Sequence, residues 1–152
     1  MDNLYLSHIV AEIAPSIRNR TVRQVWMAGH DFVLEWKGSD GQKLVVSADP
    51  SNPGLYLTRE HLASSKPAAS EFISTARERL IGMNVVAILK HPVDRLVKLG
   101  FDSEPARASA LLLSLIGRAT NIYILDCEGE TVSRLFNHAR EAGRICFDEA
   151  TG

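Results

Sequence analysis

The sequence contains little cysteine and no long hydrophobic run. Its two cysteines, Cys127 and Cys146, show neither the Cys-x-x-Cys spacing of a metal site nor the density of a disulfide-stabilised secreted domain. No apolar stretch is long enough to cross a bilayer, and the N-terminus has no basic segment followed by a hydrophobic segment and a cleavage site. We therefore expect a cytoplasmic protein with reduced thiols and no membrane partner.

The chain also has no excess of charge of either sign. The formal net charge is -1, which argues against non-specific binding of nucleic acid through bulk charge but leaves room for a local basic patch. The 17 basic residues comprise 12 arginines and five lysines. Arginine presents a planar fork suited to phosphate and to stacking on bases, so the skew favours recognition, although a genomic preference for arginine explains it equally well.

The motifs of the common enzyme and metal classes are absent as well. The histidines show no HxxxH or HxH spacing, no Gly-rich phosphate loop is present, and no GxSxG elbow supports a Ser-His-Asp arrangement. We therefore expect no metal, no cofactor and no catalytic residue. The histidines concerned are His8, His30, His61, His91 and His138.

Hydrophobic periodicity predicts both helices and strands. Apolar residues recur at three- and four-residue steps between residues 6 and 17, which predicts an amphipathic opening helix that Pro15 ends or bends. The same spacing over residues 70–81 predicts a second helix, which Gly82 ends. The remaining segments predict about eight antiparallel strands. Together they indicate an α+β domain, a mostly antiparallel β-sandwich with two flanking helices.

Residues 91–126 carry the most informative pattern, HPVDRLVKLGFDSEPARASALLLSLIGRATNIYILD. They are interpreted as three apolar strands, the first spanning residues 93–101. Charged residues lie at two of the connections. Asp94-Arg95 lies at the start of the first strand, and Gly117-Arg118 lies between ALLLSLI and NIYILD. Two guanidinium groups on the rim of a packed sheet would form a docking edge for an anion or a polar polymer.

The combination of DRLVKLGF with LLLSLIGRATNIYILD resembles the N-terminal domain of the NFACT proteins, also called the fibronectin-binding protein A N-terminal family. The resemblance extends over almost the whole chain, through LYLSHIVAEI, VVSADPSNPGLYLT and FISTARERLIG. It implies a fold similar to the N-terminal domain of formamidopyrimidine-type DNA glycosylases. Those enzymes use an N-terminal proline amine where this chain has Met1-Asp2-Asn3, and they carry a helical DNA-binding region and a zinc module for which this chain has no room. We therefore expect neither catalysis nor DNA binding.

The resemblance also implies a function and four RNA-binding residues. Family members include factors that bind obstructed large ribosomal subunits and extend stalled nascent chains, so tRNA and the large ribosomal subunit are the implied partners of a non-catalytic RNA-binding module. Asp94 and Arg95 match the Asp-Arg motif that tail-synthesising members require for tRNA use, and Arg118 and Asn121 match the family's turn. A structural interpretation stays open, in which Asp94 accepts backbone N–H bonds, Gly117 permits a tight turn and Asn121 satisfies its backbone.

Family members usually continue for several hundred residues, whereas this sequence stops at residue 152. We interpret residues 1–152 as a single NFACT-N-like domain whose last ~15 residues begin a linker to a missing region. An excised module and a stand-alone relative both fit this interpretation. The family's older name reflects adhesion to fibronectin or fibrinogen, so the alternative function is a protein-binding or adhesion module with a host or cellular protein as its partner.

Overall fold

The computed structural model describes residues 2–38, 40–65, 70–102 and 108–136. Within these residues the chain forms two α-helices, nine β-strands and a single 3-10 turn, Gly117–Ala119. None of these helices is long and apolar enough to cross a membrane. The predicted linker at the C-terminus and Cys146 lie outside the described residues. In chain order the elements are α1 (Asn3–Ile17), β1 (Val22–Ala28), β2 (Asp31–Trp36), β3 (Lys43–Ser47), β4 (Gly54–Thr58), α2 (Ser70–Leu80), β5 (Val85–Lys90), β6 (Leu96–Phe101), β7 (Ala110–Ser114), β8 (Asn121–Leu125) and β9 (Thr131–Arg134).

The strands form two antiparallel sheets. Within each sheet, strands that follow one another in the sequence pair with each other. The first sheet has the order β1-β2-β3-β4 and the second the order β5-β6-β7-β8-β9. Apolar side chains from both sheets and both helices pack into one continuous core. The predicted α+β sandwich is therefore confirmed, with nine described strands where about eight were expected. The largest fully buried side chains include Trp36, Phe32, Leu6, Leu34, Leu99 and Leu113.

The two helices flank the sandwich at its open edges. Helix α1 contacts β4 and β5, and helix α2 contacts β1 and β9, so each helix spans one edge strand of each sheet. Each helix has a single apolar face, and covering the seam between two sheets is a way to bury it. The buried residues of α1 are Leu6, Val10, Ile13, Ala14 and Ile17, and those of α2 are Phe72, Ile73, Ala76 and Leu80.

Pro15 lies inside the opening helix and does not end it, so of the two expected effects, an end or a bend, the first does not occur. Helix α1 continues to Ile17, and the Arg18 N–H closes the last turn by donating to the Ala14 carbonyl at 3.1 Å. A proline inside a helix forfeits the bond to the carbonyl four residues earlier and crowds that carbonyl, which here belongs to Ala11, an exposed residue within reach of water. The complete burial of Ile17 favours retaining the last turn.

The strand predicted from residue 93 begins three residues later, at Leu96. The Val93 and Asp94 N–H groups donate to Nδ1 of His91 at 3.1 and 3.0 Å, so the backbone turns back on the histidine ring. Asp94 and Arg95 therefore lie in the loop between β5 and β6. The Asp-Arg pair thus precedes the strand and is not part of it.

Candidate nucleic-acid interface

The loop between β5 and β6 and the turn between β7 and β8 meet at one end of the second sheet. The carbonyl of Arg95 accepts the Leu115 N–H at 2.9 Å. One step further into the sheet, Leu96 is in register with Ser114, and Ser114 with Asn121. Strand pairing therefore brings the Arg95 backbone and Asn121 to the same end of the sheet, because alternate connections of an up-and-down sheet lie at the same end.

The turn presents Arg118 to solvent. Gly117 adopts a φ of +35°, outside the region where side chains are tolerated easily, and thus allows the chain to reverse. The Thr120 Oγ1 hydroxyl and the Thr120 N–H both donate to the Gly117 carbonyl, at 2.6 and 3.1 Å. With its neighbours fixed in this way, Arg118 is exposed at the tip of the turn.

Asn121 occupies a buried position beneath the turn. Only 1% of it is exposed, and its amide pairs with the backbone of Phe136: Nδ2 donates to the carbonyl and Oδ1 accepts the N–H, both at 2.9 Å. Its Oδ1 also accepts the Ile122 N–H at 2.9 Å. The amide thus extends the pairing of β8 with the chain after β9. In this arrangement Asn121 supports the site and does not present its side chain at the surface.

Asp94 and Arg95 stand at the rim, Asp94 exposed and Arg95 half-buried. The backbone N–H bonds that the structural interpretation assigned to Asp94 go to the His91 ring instead. Asp94 interacts electrostatically with Lys90: burial lowers the pKa of the Lys90 ammonium group, and the Asp94 carboxylate opposes that shift. The Asp94 carboxylate lies beside two basic residues, Lys90 and Arg95. It can orient one of their cationic groups without neutralising the positive charge of the whole rim.

Two residues that sequence reasoning missed, Lys90 and Asn3, hold this loop in place. Lys90 Nζ donates to the His91 carbonyl at 2.6 Å and also to Oδ1 of Asn3, and Asn3 Nδ2 donates to the Val93 carbonyl at 2.6 Å. The first turn of α1 is thereby tied to a loop some 90 positions away. The only local signal in the sequence was the His91-Pro92 pair. It indicates a break in the strand, but it does not indicate that the backbone turns back onto the histidine ring.

The cleft on the second sheet does not coincide with the predicted residues. It has a volume of about 340 Å³ and lies at the opposite end of the sheet, near the β8–β9 turn. Its lining includes Ala87, Gly100, Ala110, Leu125 and Asp126. Within the described ranges no three His, Cys, Asp or Glu side chains group closely enough to hold a metal ion. The candidate interface is therefore an open rim, a shape suited to a polymer more than to an enclosed small molecule.

The fold defines the chain as an α+β sandwich domain with two antiparallel sheets and two flanking helices. The family model described as "NFACT N-terminal and middle domains" matches residues 2–144. The chain belongs to this family, as its motifs predict. None of the curated proteins compared with the chain matches it.

Solved structures share the fold at low sequence identity. The N-terminal domain of fibronectin-binding protein PavA from Streptococcus pneumoniae has a TM-score of 0.80 at 20% identity, covering 94% of this chain and 56% of that one. The N-terminal part of the fibronectin/fibrinogen-binding protein from Streptococcus suis gives 0.78 at 19% identity, with 90% and 53% covered. The fibrinogen binding protein from Staphylococcus aureus gives 0.74 at 16% identity, with 91% and 51% covered. The chain thus spans about half the length of these structures.

Proposed function

We propose that the chain is a non-catalytic RNA-binding module that contacts tRNA on the large ribosomal subunit. The observation that supports this proposal is the convergence of two arginine-bearing segments on one rim, where the Arg95 carbonyl accepts the Leu115 N–H and Arg118 is exposed just beyond. The guanidinium group of an arginine can donate two hydrogen bonds to the oxygens of a phosphate, and it can stack on an unpaired base. Such a rim can bind RNA through local positive charge although the net charge of the whole chain is -1.

The four predicted residues take different roles in this proposal. Arg95 and Arg118 contact the RNA, and Asp94 orients the neighbouring cations. Asn121 contributes by fixing the start of β8, since its amide is bonded to the Phe136 backbone. We further propose that residues 1–152 act as one domain and that the protein is cytoplasmic. The main hydrophobic core, which both sheets and both helices share, supports the first of these.

The contact role of Arg95 is testable by substitution. We expect Arg95→Ala to weaken the binding of labelled, unfractionated tRNA by about 1–3 kcal/mol, because a charge-assisted contact is lost. Arg95→Lys should recover part of the loss, since it retains the charge without the fork. Fluorescence anisotropy at two salt concentrations measures the affinity, and the dependence of log Kd on log salt should become shallower in Arg95→Ala.

Two controls separate binding from folding. Arg59→Ala removes an equal charge from the exposed loop after β4, on the other sheet, and should leave tRNA affinity within about twofold. Thermal unfolding of Arg95→Ala and Asp94→Ala should shift the melting temperature by less than about 4 °C. Unchanged tRNA affinity together with a large fall in melting temperature would make the pair structural and overturn its assignment to RNA.

The non-catalytic part of the proposal has its own test. Because the family resemblance implies a fold similar to that of a DNA glycosylase domain, the chain is incubated with duplexes that contain oxidised bases. We expect neither strand cleavage nor an adduct trapped by borohydride. A trapped adduct would establish an amine nucleophile and refute this part of the proposal.

A protein-binding module is the second candidate. It is supported by the names of the similar structures, which describe fibronectin- and fibrinogen-binding proteins. Two strongly exposed apolar side chains would suit such a partner, Leu4 at 70% and Val93 at 71% exposure. Fibronectin and fibrinogen binding measured at the same two salt concentrations discriminates the candidates, because an apolar protein interface depends weakly on salt and a polyanion contact steeply.

A further inference from the structure

The ring of His91 determines the backbone path of the loop that carries Asp94 and Arg95. Its Nδ1 accepts two backbone N–H groups, from Val93 at 3.1 Å and from Asp94 at 3.0 Å. The His91 N–H itself donates to the Leu96 carbonyl at 2.9 Å, which closes the loop at the start of β6. The histidine therefore fixes the Pro92–Val93 and Val93–Asp94 peptide groups, which end one residue before Arg95.

The other anchors of the loop cannot replace this acceptor. Lys90 binds the His91 carbonyl, and Asn3 binds the Val93 carbonyl, so both hold carbonyl oxygens. The N–H groups of Val93 and Asp94 point inward to the ring. Without an acceptor at Nδ1, these two donors lose their partner while the rest of the loop stays attached.

The acceptor exists only while the imidazole is neutral. A neutral ring has one donor nitrogen and one acceptor nitrogen, whereas a protonated ring has two donors and accepts nothing. The charged residues on the elements around the ring are Lys90 of β5, whose ammonium group donates to the His91 carbonyl, Asp94 and Arg95 of the loop, and Asp2, which caps the helix whose Asn3 contacts the loop.

We propose that His91 is the positioning residue of the Asp94-Arg95 loop, and that protonation of its Nδ1 frees the Val93 and Asp94 N–H groups, loosens this part of the loop and weakens RNA binding at low pH. The effect on RNA rests on the proposed function above. The effect on the loop does not, because it follows from the two hydrogen bonds alone. The proposal adds regulation by pH to a rim whose arginines stay charged throughout.

The loop is tested first, without RNA. Amide hydrogen exchange of Val93 and Asp94 is followed by NMR in the wild-type chain, His91→Asn and His91→Ala. Asparagine places an oxygen acceptor near the position of Nδ1, so His91→Asn should retain protection, whereas His91→Ala should exchange about tenfold faster. Between about pH 8 and pH 5, where histidines ordinarily change charge, protection corrected for intrinsic exchange should fall in the wild type and stay constant in His91→Asn. Equal protection in all three chains at both pH values would overturn the proposal.

The same variants are then measured with labelled, unfractionated tRNA. At pH 8 we expect His91→Ala to bind about 3–10-fold more weakly and His91→Asn to stay within about twofold of the wild type. Lowering the pH should weaken the wild type relative to His91→Asn. His61→Ala, which removes an exposed histidine beside the first sheet, is the matched control and should change neither measurement.

The two proposals fail in distinguishable ways. If Arg95→Ala leaves tRNA affinity unchanged, the RNA assignment fails, and the exchange data still decide the role of His91. If Arg95→Ala weakens binding while His91→Ala and His91→Asn behave like the wild type at both pH values, the rim binds RNA and His91 does not position it.

Discussion

Phe32→Ala is expected to lower the free energy of unfolding by about 3–5 kcal/mol. Phe32 of β2 is completely buried and contacts Phe72 of α2, with ring centroids 5.5 Å apart and an interplanar angle of 68°. Truncation removes the buried ring, leaves a cavity and abolishes an edge-to-face pair that contributes about 0.5–1.5 kcal/mol beyond its area. Urea denaturation followed by circular dichroism measures the loss.

The control for this prediction comes from the same sheet. Tyr56 of β4 is 44% exposed, so Tyr56→Ala should cost less than about 1 kcal/mol. A double-mutant cycle with Phe72→Ala should give a coupling energy of about 0.5–1.5 kcal/mol between the two rings. A cost below about 1 kcal/mol for Phe32→Ala, or no coupling, would contradict the packing of α2 on the first sheet.

Local sequence predicts the helices well because their apolar faces and end signals agree. Residues 70–81 show the helical spacing, and the structure places α2 at Ser70–Leu80. Gly82 follows with a φ of +89°, a conformation that glycine adopts without strain, so the stop signal is encoded in one residue. Pro15 does not end α1, because its local preference is weaker than the burial of Ile17 one half-turn later.

The loop before β6 could not be predicted from the hydrophobic pattern of its residues. Val93, Val97 and Leu99 fit the alternation of a strand, yet Val93 is 71% exposed and lies in the loop. What turns the backbone is the His91 ring together with Asn3, whose contact partner is 90 residues away in sequence. Hydrophobic periodicity indicates which side chains of a segment face the core. It contains no information about contacts with residues far away in the sequence, such as Asn3.

The candidate site likewise contains features that the sequence predicts and one that it does not. Reading residues 91–126 as successive antiparallel strands predicts that the Asp94-Arg95 and Gly117-Arg118 joins share one end of the sheet, and the structure brings these two segments together. Their role in RNA binding stays a prediction. The burial of Asn121 was not foreseen, because its partner Phe136 follows β9 and an asparagine after a turn is ordinarily interpreted as surface.

Asn121→Ala is expected to lower the free energy of unfolding by about 2–4 kcal/mol. The substitution removes an amide that pairs with the Phe136 carbonyl and accepts the Ile122 and Phe136 N–H groups. At least the Ile122 N–H is buried and would be left without an acceptor, so the cost is one of desolvation and not only of lost attraction. Urea denaturation measures it, and tRNA binding is recorded well below the melting temperature.

Ser114 is the matched control, because it is the cross-strand partner of Asn121 and is equally buried. Its hydroxyl has no hydrogen-bond partner among the described residues, so Ser114→Ala removes an unsatisfied polar group and should leave stability within about 0.5 kcal/mol or raise it. If Asn121→Ala is destabilised but the folded protein binds tRNA as the wild type does, Asn121 supports the sheet and the arginines make the contact. If stability is unchanged and tRNA binding is lost, Asn121 reaches the RNA itself, and the buried pairing with Phe136 does not hold in solution.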